Sequence, residues 1–334
     1  MTTRRKFISG LAAGAAITAC PAIIPSARAA EPVVLMTPFG FDVDFIDMMN
    51  AYSGGHFAKQ GLDAKVLGAT GTVQQIQMVV TDQAQFGRFS GIDFIRAVAA
   101  KDAPLKALAT INQNSGFHIV SLKDKPVKSG ADLKGKTIGI LSYGGTTETM
   151  IEVLLAKAGV PKAEAKLVVA GNSPGEVELI RQGRIDCFIC TFSTLFQIRR
   201  LNEPVEFFTV DKDIPAPGQV YHATRTTLET KPDLVRKVLR ATRASIEEIM
   251  TQPLRPIFER AGKDFEIPGM KDVDGLAAYE KAAIANGWLG EGKENLLRNL
   301  PRRWEAGAAA LRQVGIVDVK DTTTLYTNKF VDEL

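Results

Sequence analysis

The chain has 334 residues, 45% apolar and 23% charged, with three cysteines and a formal net charge of +4. That length buries one or two cores without covalent staples, and so few cysteines exclude a disulfide scaffold. The excess charge resides in Arg4, Arg5, Lys6 and Arg28; the remaining chain balances 37 basic against 37 acidic side chains, so neither nucleic acid nor an anionic membrane is an expected partner.

At the N-terminus, Thr3-Arg4-Arg5-Lys6-Phe7-Ile8 forms a charged head before a small apolar stretch over 10–24 and an Ala27-Arg28-Ala29 exit. This reads as a signal peptide over 1–30, and the arginine pair followed by an aromatic favours the twin-arginine route to the periplasm. The apolar stretch is too short and too rich in Gly and Ala to span a bilayer, which takes about twenty strongly apolar residues. Ile17-Thr18-Ala19-Cys20 loosely resembles a lipoprotein box, against which stand Pro21 and the downstream exit site.

Periodicity then predicts alternating elements: strands over 33–36, 64–67, 85–89 and 105–111, and helices over 45–60, 73–81 and 93–101. Continuous apolar strands separated by helices imply an α/β fold with mainly parallel sheets. After Asp124-Lys125-Pro126 the order of elements restarts: the strand through Thr137-Ile138-Gly139-Ile140 leads into Ser142-Tyr143-Gly144-Gly145-Thr146-Thr147 and a helix over 148–158. The first half offers a similar Gly68-Ala69-Thr70-Gly71-Thr72 loop. In both, small residues admit a ligand to the backbone and a helix N-terminus supplies free N–H groups; a loop that only caps a helix is the alternative.

Several motifs invite enzymatic readings. Cys187 and Cys190 form C-x-x-C within an apolar strand, where three residues separate the Cα atoms by about 10 Å, beyond disulfide reach, so structural burial is expected. Gly171-Asn172-Ser173-Pro174-Gly175 fits G-x-S-x-G, but Pro174 has no N–H for an oxyanion hole, and Ser173 reads instead as a helix cap. His56, His118 and His222 show no metal spacing, so neither metal nor cofactor is expected. Trp288 and Trp304, in helical patterns near the C-terminus, are expected in the core.

Asp132 to Ile140, Gly183-Arg184-Ile185-Asp186, Gly61-Leu62-Asp63, Gln85-Phe86-Gly87 and Lys231-Pro232-Asp233-Leu234-Val235 together resemble the substrate-binding proteins for nitrate, sulfonates, taurine and the pyrimidine precursor of thiamine. The resemblance covers nearly the whole chain after the leader. It implies a two-lobe periplasmic binding protein of type II, with lobe one over 31–118 plus 220–334 and lobe two over 119–219. The implied function is that of the substrate-binding component of an ABC importer rather than an enzyme: a monomer that closes on a small-molecule ligand and delivers it to ABC permease subunits. A sensory module of the same fold is the alternative. Fungal thiamine-pyrimidine synthases resemble these proteins in fold, but their cysteine-rich motif would fall near Gln219-Val220-Tyr221-His222-Ala223, which has no cysteine.

In open α/β sheets the ligand sits at strand C-terminal ends. That rule nominates Phe39, Phe41 and Asp42; Thr70, Gly71 and Thr72; Ser90 and Gly91; Gln113 and Asn114; Tyr143, Gly144, Thr146 and Thr147; and Thr191 and Phe192. Asp42 and Asp44 favour an N-heterocycle over a sulfonate or nitrate, unless they merely cap the next helix. Arg88 would suit an aromatic carboxylate if it faced the cleft.

Overall fold

The computed structural model describes residues 29–334, so the leader and Cys20 lie outside the described residues. Ten strands run through the described residues: β1 (Glu31–Thr37), β2 (Leu62–Gly68), β3 (Phe86–Phe89), β4 (Leu105–Asn112), β5 (Phe117–Leu122), β6 (Thr137–Ile140), β7 (Lys166–Val169), β8 (Cys187–Thr191), β9 (Val205–Thr209) and β10 (Gln219–Thr224). They form two five-stranded sheets, ordered β2-β1-β3-β10-β4 and β7-β6-β8-β5-β9. The chain passes between the sheets at 113–116 and again at 210–218.

The sheets are mixed rather than mainly parallel. β10 runs antiparallel to both β3 and β4, and β5 antiparallel to both β8 and β9. Each reversed strand is the first one made after a crossing, so it enters its sheet directly from the other lobe without the helical crossover that parallel neighbours need. Apolar periodicity carries no record of that direction.

The helix expected over 45–60 is broken. A 3₁₀ turn at Val43–Phe45 leads into a helix at Ile46–Ser53, and Gly55, at φ +70°, separates it from a short helix at His56–Lys59. Helices Pro232–Thr251, Leu254–Asp264 and Val273–Ala283 build the outer layer of lobe one around Ile46–Ser53. Their apolar faces enclose Phe45, Met48, Phe258 and Trp288, all at most 2% exposed. A smaller cluster around Phe188, Leu195 and Ile198 fills the outer side of lobe two. A third crosses between the lobes, joining Phe94 and Trp304 to Ile138 and Met150, and Tyr326 stacks on Trp304 with ring centroids 5.2 Å apart.

Cys187 and Cys190 point to opposite faces of β8, into different apolar clusters. Both are free and fully buried, and burial pushes the Cys187 thiol up to about 12, so neither is a ready nucleophile. No helix among the described residues is long and apolar enough to cross a membrane.

Candidate binding site

The two crossings bound a cavity of about 390 Å³. Asn112, Asn114 and the run Ser115 to His118 supply one wall, Thr209, Asp211 and Gln219 a second, Thr191 and Phe192 a third, and Tyr279, Ala283, Asn286 and Gly287 the fourth. Close backbone approaches hold this arrangement. Gly218 donates its N–H to the Asn112 carbonyl at 2.8 Å, and a Cβ on Gly218 would lie 2.0 Å from the Asn114 carbonyl oxygen. Gln113 N–H donates to the Gly287 carbonyl at 3.0 Å, tying the end of β4 to the π-helical turn Ile284–Trp288.

Four residues that line this cavity each bury a polar atom without a partner: Oδ1 of Asn112, Oδ1 of Asn114, Oγ of Ser115 and Oε1 of Gln219. Buried polar atoms are nearly always hydrogen-bonded, so four unpaired ones on residues lining a single cavity stand out: the three amide oxygens can only accept, and the Ser115 hydroxyl can donate or accept. Asn114 is oriented by its Nδ2, which donates to the Asn286 carbonyl at 2.9 Å. Asp211 is already engaged, accepting from Ser115 N–H at 2.7 Å and pairing with Arg303 at 3.2 Å.

Rings supply the apolar faces. Phe192 lies 5.5 Å from Tyr279 and 5.9 Å from His118, centroid to centroid. Burial lowers the His118 imidazole to about 4, so it is neutral near pH 7. Among the described residues no lysine or arginine lines the cavity, whereas the Asp44 carboxylate does. Tyr279 donates its hydroxyl to Asp44, and burial followed by the neighbouring Asp44 charge pushes the Asp42 carboxyl up to about 7.

The NMT1/THI5 like family model matches residues 42–255. The chain belongs to this family. Over 144 residues it is 27% identical to the formylaminopyrimidine-binding protein of Halalkalibacterium halodurans; the match spans 42% of each chain, less than half of that relative. Among solved structures, a Bordetella bronchiseptica protein superposes with a TM-score of 0.70 at 20% identity, covering 90% of this chain and 96% of that one. The periplasmic aliphatic sulphonate-binding protein of Escherichia coli superposes with a TM-score of 0.62 at 17% identity, covering 85% and 90%. The fold is that of the two-lobe periplasmic solute-binding proteins.

In this NMT1/THI5-like chain, Asn114, Thr191 and Phe192 line the main cavity. Phe39, Thr70, Gly71, Thr72, Thr146 and Thr147 line a smaller recess of about 30 Å³, which shares Phe117 with it. There the Thr146 hydroxyl already donates to Asp93 at 2.9 Å, and Thr147 Oγ1 accepts from Leu141 N–H at 3.0 Å. Phe39 packs edge-on against Phe45, and Phe41 lies 5.0 Å from Phe265, so both anchor the loop after β1.

Seven nominated residues lie outside both spaces: Phe41, Asp42, Ser90, Gly91, Gln113, Tyr143 and Gly144. Ser90 precedes the Gly91–Lys101 helix, and Gly91 abuts Pro217, whose oxygen lies 2.5 Å from the position a Cβ would take. Gln113 turns toward the C-terminal segment, donating to the Asn295 and Arg298 carbonyls at 3.1 and 3.0 Å. Tyr143 is 58% exposed, with its hydroxyl on the Leu167 carbonyl, and the Gly144 carbonyl accepts from Arg96.

The two glycine-rich loops are not topological counterparts. The loop after β6 corresponds to the loop after β1, because β6 and β1 occupy the same place in their sheets; the 68–72 loop follows an edge strand, like the loop after β7. They meet nonetheless across the cleft, where a Cβ on Gly71 would lie 3.4 Å from Ser142 Oγ.

Asp42 caps the Val43–Phe45 turn, accepting from Asp44 N–H at 3.0 Å, as the capping alternative anticipates, and its other neighbour is Ser193 of lobe two at 3.2 Å. Arg88 faces away from the cleft: fully buried, it pairs with Asp47, which also accepts from the Tyr221 hydroxyl. Ser173 accepts from Gly175 N–H at 3.2 Å while Glu176 accepts from Ser173 N–H at 2.6 Å, a reciprocal capping pattern before the helix Glu176–Arg181. His222 is fully buried in lobe one, on β10 beside Gln75.

Proposed function

We propose that the chain is the substrate-binding component of an ABC importer, exported to the periplasm by a twin-arginine leader. Its lobes, divided at the crossings 113–116 and 210–218 rather than after 118 and 219, close by a hinge motion around a small N-heterocycle bearing amino groups. The observation that carries this reading is that four residues lining the cavity, Asn112, Asn114, Ser115 and Gln219, each carry a buried polar atom without a partner, while no cation lines it among the described residues. Amide oxygens accept from ring and exocyclic N–H groups. A sulfonate or nitrate brings only acceptors and a negative charge, which would meet those oxygens and the Asp44 carboxylate. Phe117, Phe192 and Tyr279 suit the faces of a flat ring, and about 390 Å³ falls within the usual range of small-molecule pockets.

The binding residues under this reading are Asn112, Asn114, Ser115, Gln219, Phe192 and Tyr279. A transport role fits better than catalysis: the cavity's one histidine is held neutral, the described cysteines are in the core, and Ser173 is engaged in capping. The formylaminopyrimidine-binding relative points the same way.

Thermal unfolding against formylaminopyrimidine, taurine, an alkanesulfonate, nitrate and benzoate tests the assignment, because a ligand bound only by the folded state at a hundred times its Kd adds about 2.7 kcal/mol. A saturable rise in Tm with formylaminopyrimidine alone supports it. A rise with the anions instead, or with none of the five, overturns the ligand class.

A further inference from the structure

Asp42 and Asp44 belong to the loop after β1, in lobe one, and they meet lobe two at the start of the Phe192–Arg200 helix. Ser193 Oγ donates to Asp42 Oδ1 at 3.2 Å and approaches Asp44 Oδ2 at 3.5 Å. That hydroxyl is itself paired with Thr191 Oγ1 at 2.7 Å, and Thr191 is held by Asn172, whose Oδ1 accepts from its N–H at 3.1 Å. The pair therefore sits between the lobes, against a lobe-two surface already rich in internal hydrogen bonds. Opening the lobes would return both carboxylates to water, and closing them covers two like charges that already share one loop, with Ser193 the lobe-two hydroxyl that reaches both.

We propose that Asp42 and Asp44 act as a proton-linked latch, sharing one proton when the lobes close, so that closure is favoured by acid. The inference rests on the two-lobe binding-protein reading, but not on the identity of the ligand.

The surroundings explain why one proton suffices. From β3, Arg88 offers positive charge to Asp44 but is committed to Asp47. From the Val273–Ala283 helix, the Tyr279 hydroxyl donates to Asp44, and burial keeps its proton well above the ordinary range. Glu280, next to it, is also held strongly toward its protonated form by burial, but the charged groups that act on it all belong to lobe one. On β8 the Cys190 thiol is raised by burial, and on β10 Tyr221 is tied to Asp47. His118, across the cavity, is neutral above about 4. Arg200 and Asp272 pair with each other at 2.8 Å from opposite lobes.

The sign depends on where the proton sits. With the lobes apart, a solvated Asp42 loses its proton near its ordinary value of 3.8; with the lobes together it holds it to about 7, through burial first and the Asp44 charge second, which outweigh the Ser193 hydrogen bond that favours the charged form. Between those values closing takes up one proton, so the ratio of closed to open falls by about tenfold for each unit of rising pH at most, and levels off above.

The test needs no ligand. Fluorophores on Lys65→Cys and Lys166→Cys, exposed sites on β2 and β7, report the distance between lobes by energy transfer in the full chain carrying Cys20→Ser; the native Cys187 and Cys190 are buried and would not be labelled. Expected is a closed fraction that rises several-fold from pH 8 to pH 5, and that becomes independent of pH in Asp42→Asn, where asparagine still caps the turn. Asp44→Asn should flatten the profile equally. A flat profile in the unsubstituted pair, or the same slope retained in both variants, overturns the latch while leaving the ligand assignment untouched.

Discussion

Gly287 gives the Asn112 carboxamide its place in the cavity: a Cβ on Gly287 would lie 3.0 Å from Asn112 Oδ1. The pair links the end of β4 to the π-helical turn, two segments far apart in sequence that define opposite walls of one site. A substitution there acts on the cavity-lining Asn112 before it acts on the core.

Gly287→Ala is accordingly expected to weaken formylaminopyrimidine binding about tenfold, since displacing one hydrogen bond costs about 1 kcal/mol. Its Tm should stay level or rise slightly, because alanine is the better helix former. Calorimetric titration beside a thermal melt separates the two effects.

Gln219→Leu should uncouple stability from binding. Its Oε1 is buried and unpartnered without ligand, so an apolar side chain of similar size relieves a desolvation cost of about 1–3 kcal/mol. Urea unfolding of the ligand-free protein should show equal or greater stability, while the affinity for the heterocycle falls.

Phe192→Ala and Tyr143→Ala should behave oppositely. Phe192 lines the cavity and stands 5.5 Å from Tyr279, so its removal is expected to cost binding by at least tenfold. Tyr143, 58% exposed on the outside of lobe two, should leave the Kd within twofold. Parallel titrations decide it, and a large loss in Tyr143→Ala would move the site to the loop after β6.

Arg88→Ala removes the cation from a fully buried pair and leaves Asp47 without its counter-charge. Breaking one partner of such a pair costs about 3–5 kcal/mol, so denaturant unfolding should show a large loss of stability. Arg88→Met with Asp47→Leu should recover much of it, which a merely local packing defect would not allow.

The α/β alternation was legible because buried strands such as β4 and β8 are continuous apolar runs, bounded by short polar or glycine-bearing segments. Strand direction was not, since β5 and β10 carry the same composition whichever way they run. Part of the site was also readable. Asn112 and Asn114, two apart at a strand end, share one face, whereas Gln113 between them takes the other; that period of two was the signal that would have chosen between the three amides. Tyr279 and Asn286 gave no such signal, because a polar residue on an amphipathic helix looks the same whether it meets solvent or a cavity. Tyr143 misled for a local reason: the loop after β6 turns at Gly144, φ +71°, and carries its preceding ring outward.

The strand order fixes a sequence of assembly during synthesis. The sheet of lobe two draws only on the continuous stretch from Phe117 to Thr209, and can be completed while the ribosome is still making the C-terminal third of the chain. The sheet of lobe one has a vacant lane between β3 and β4, into which Val220 must pair with Phe89 on one side and Thr110 on the other. Until residue 224 has emerged, two nascent strands stand with unpaired edges, and the later-made lobe is finished first.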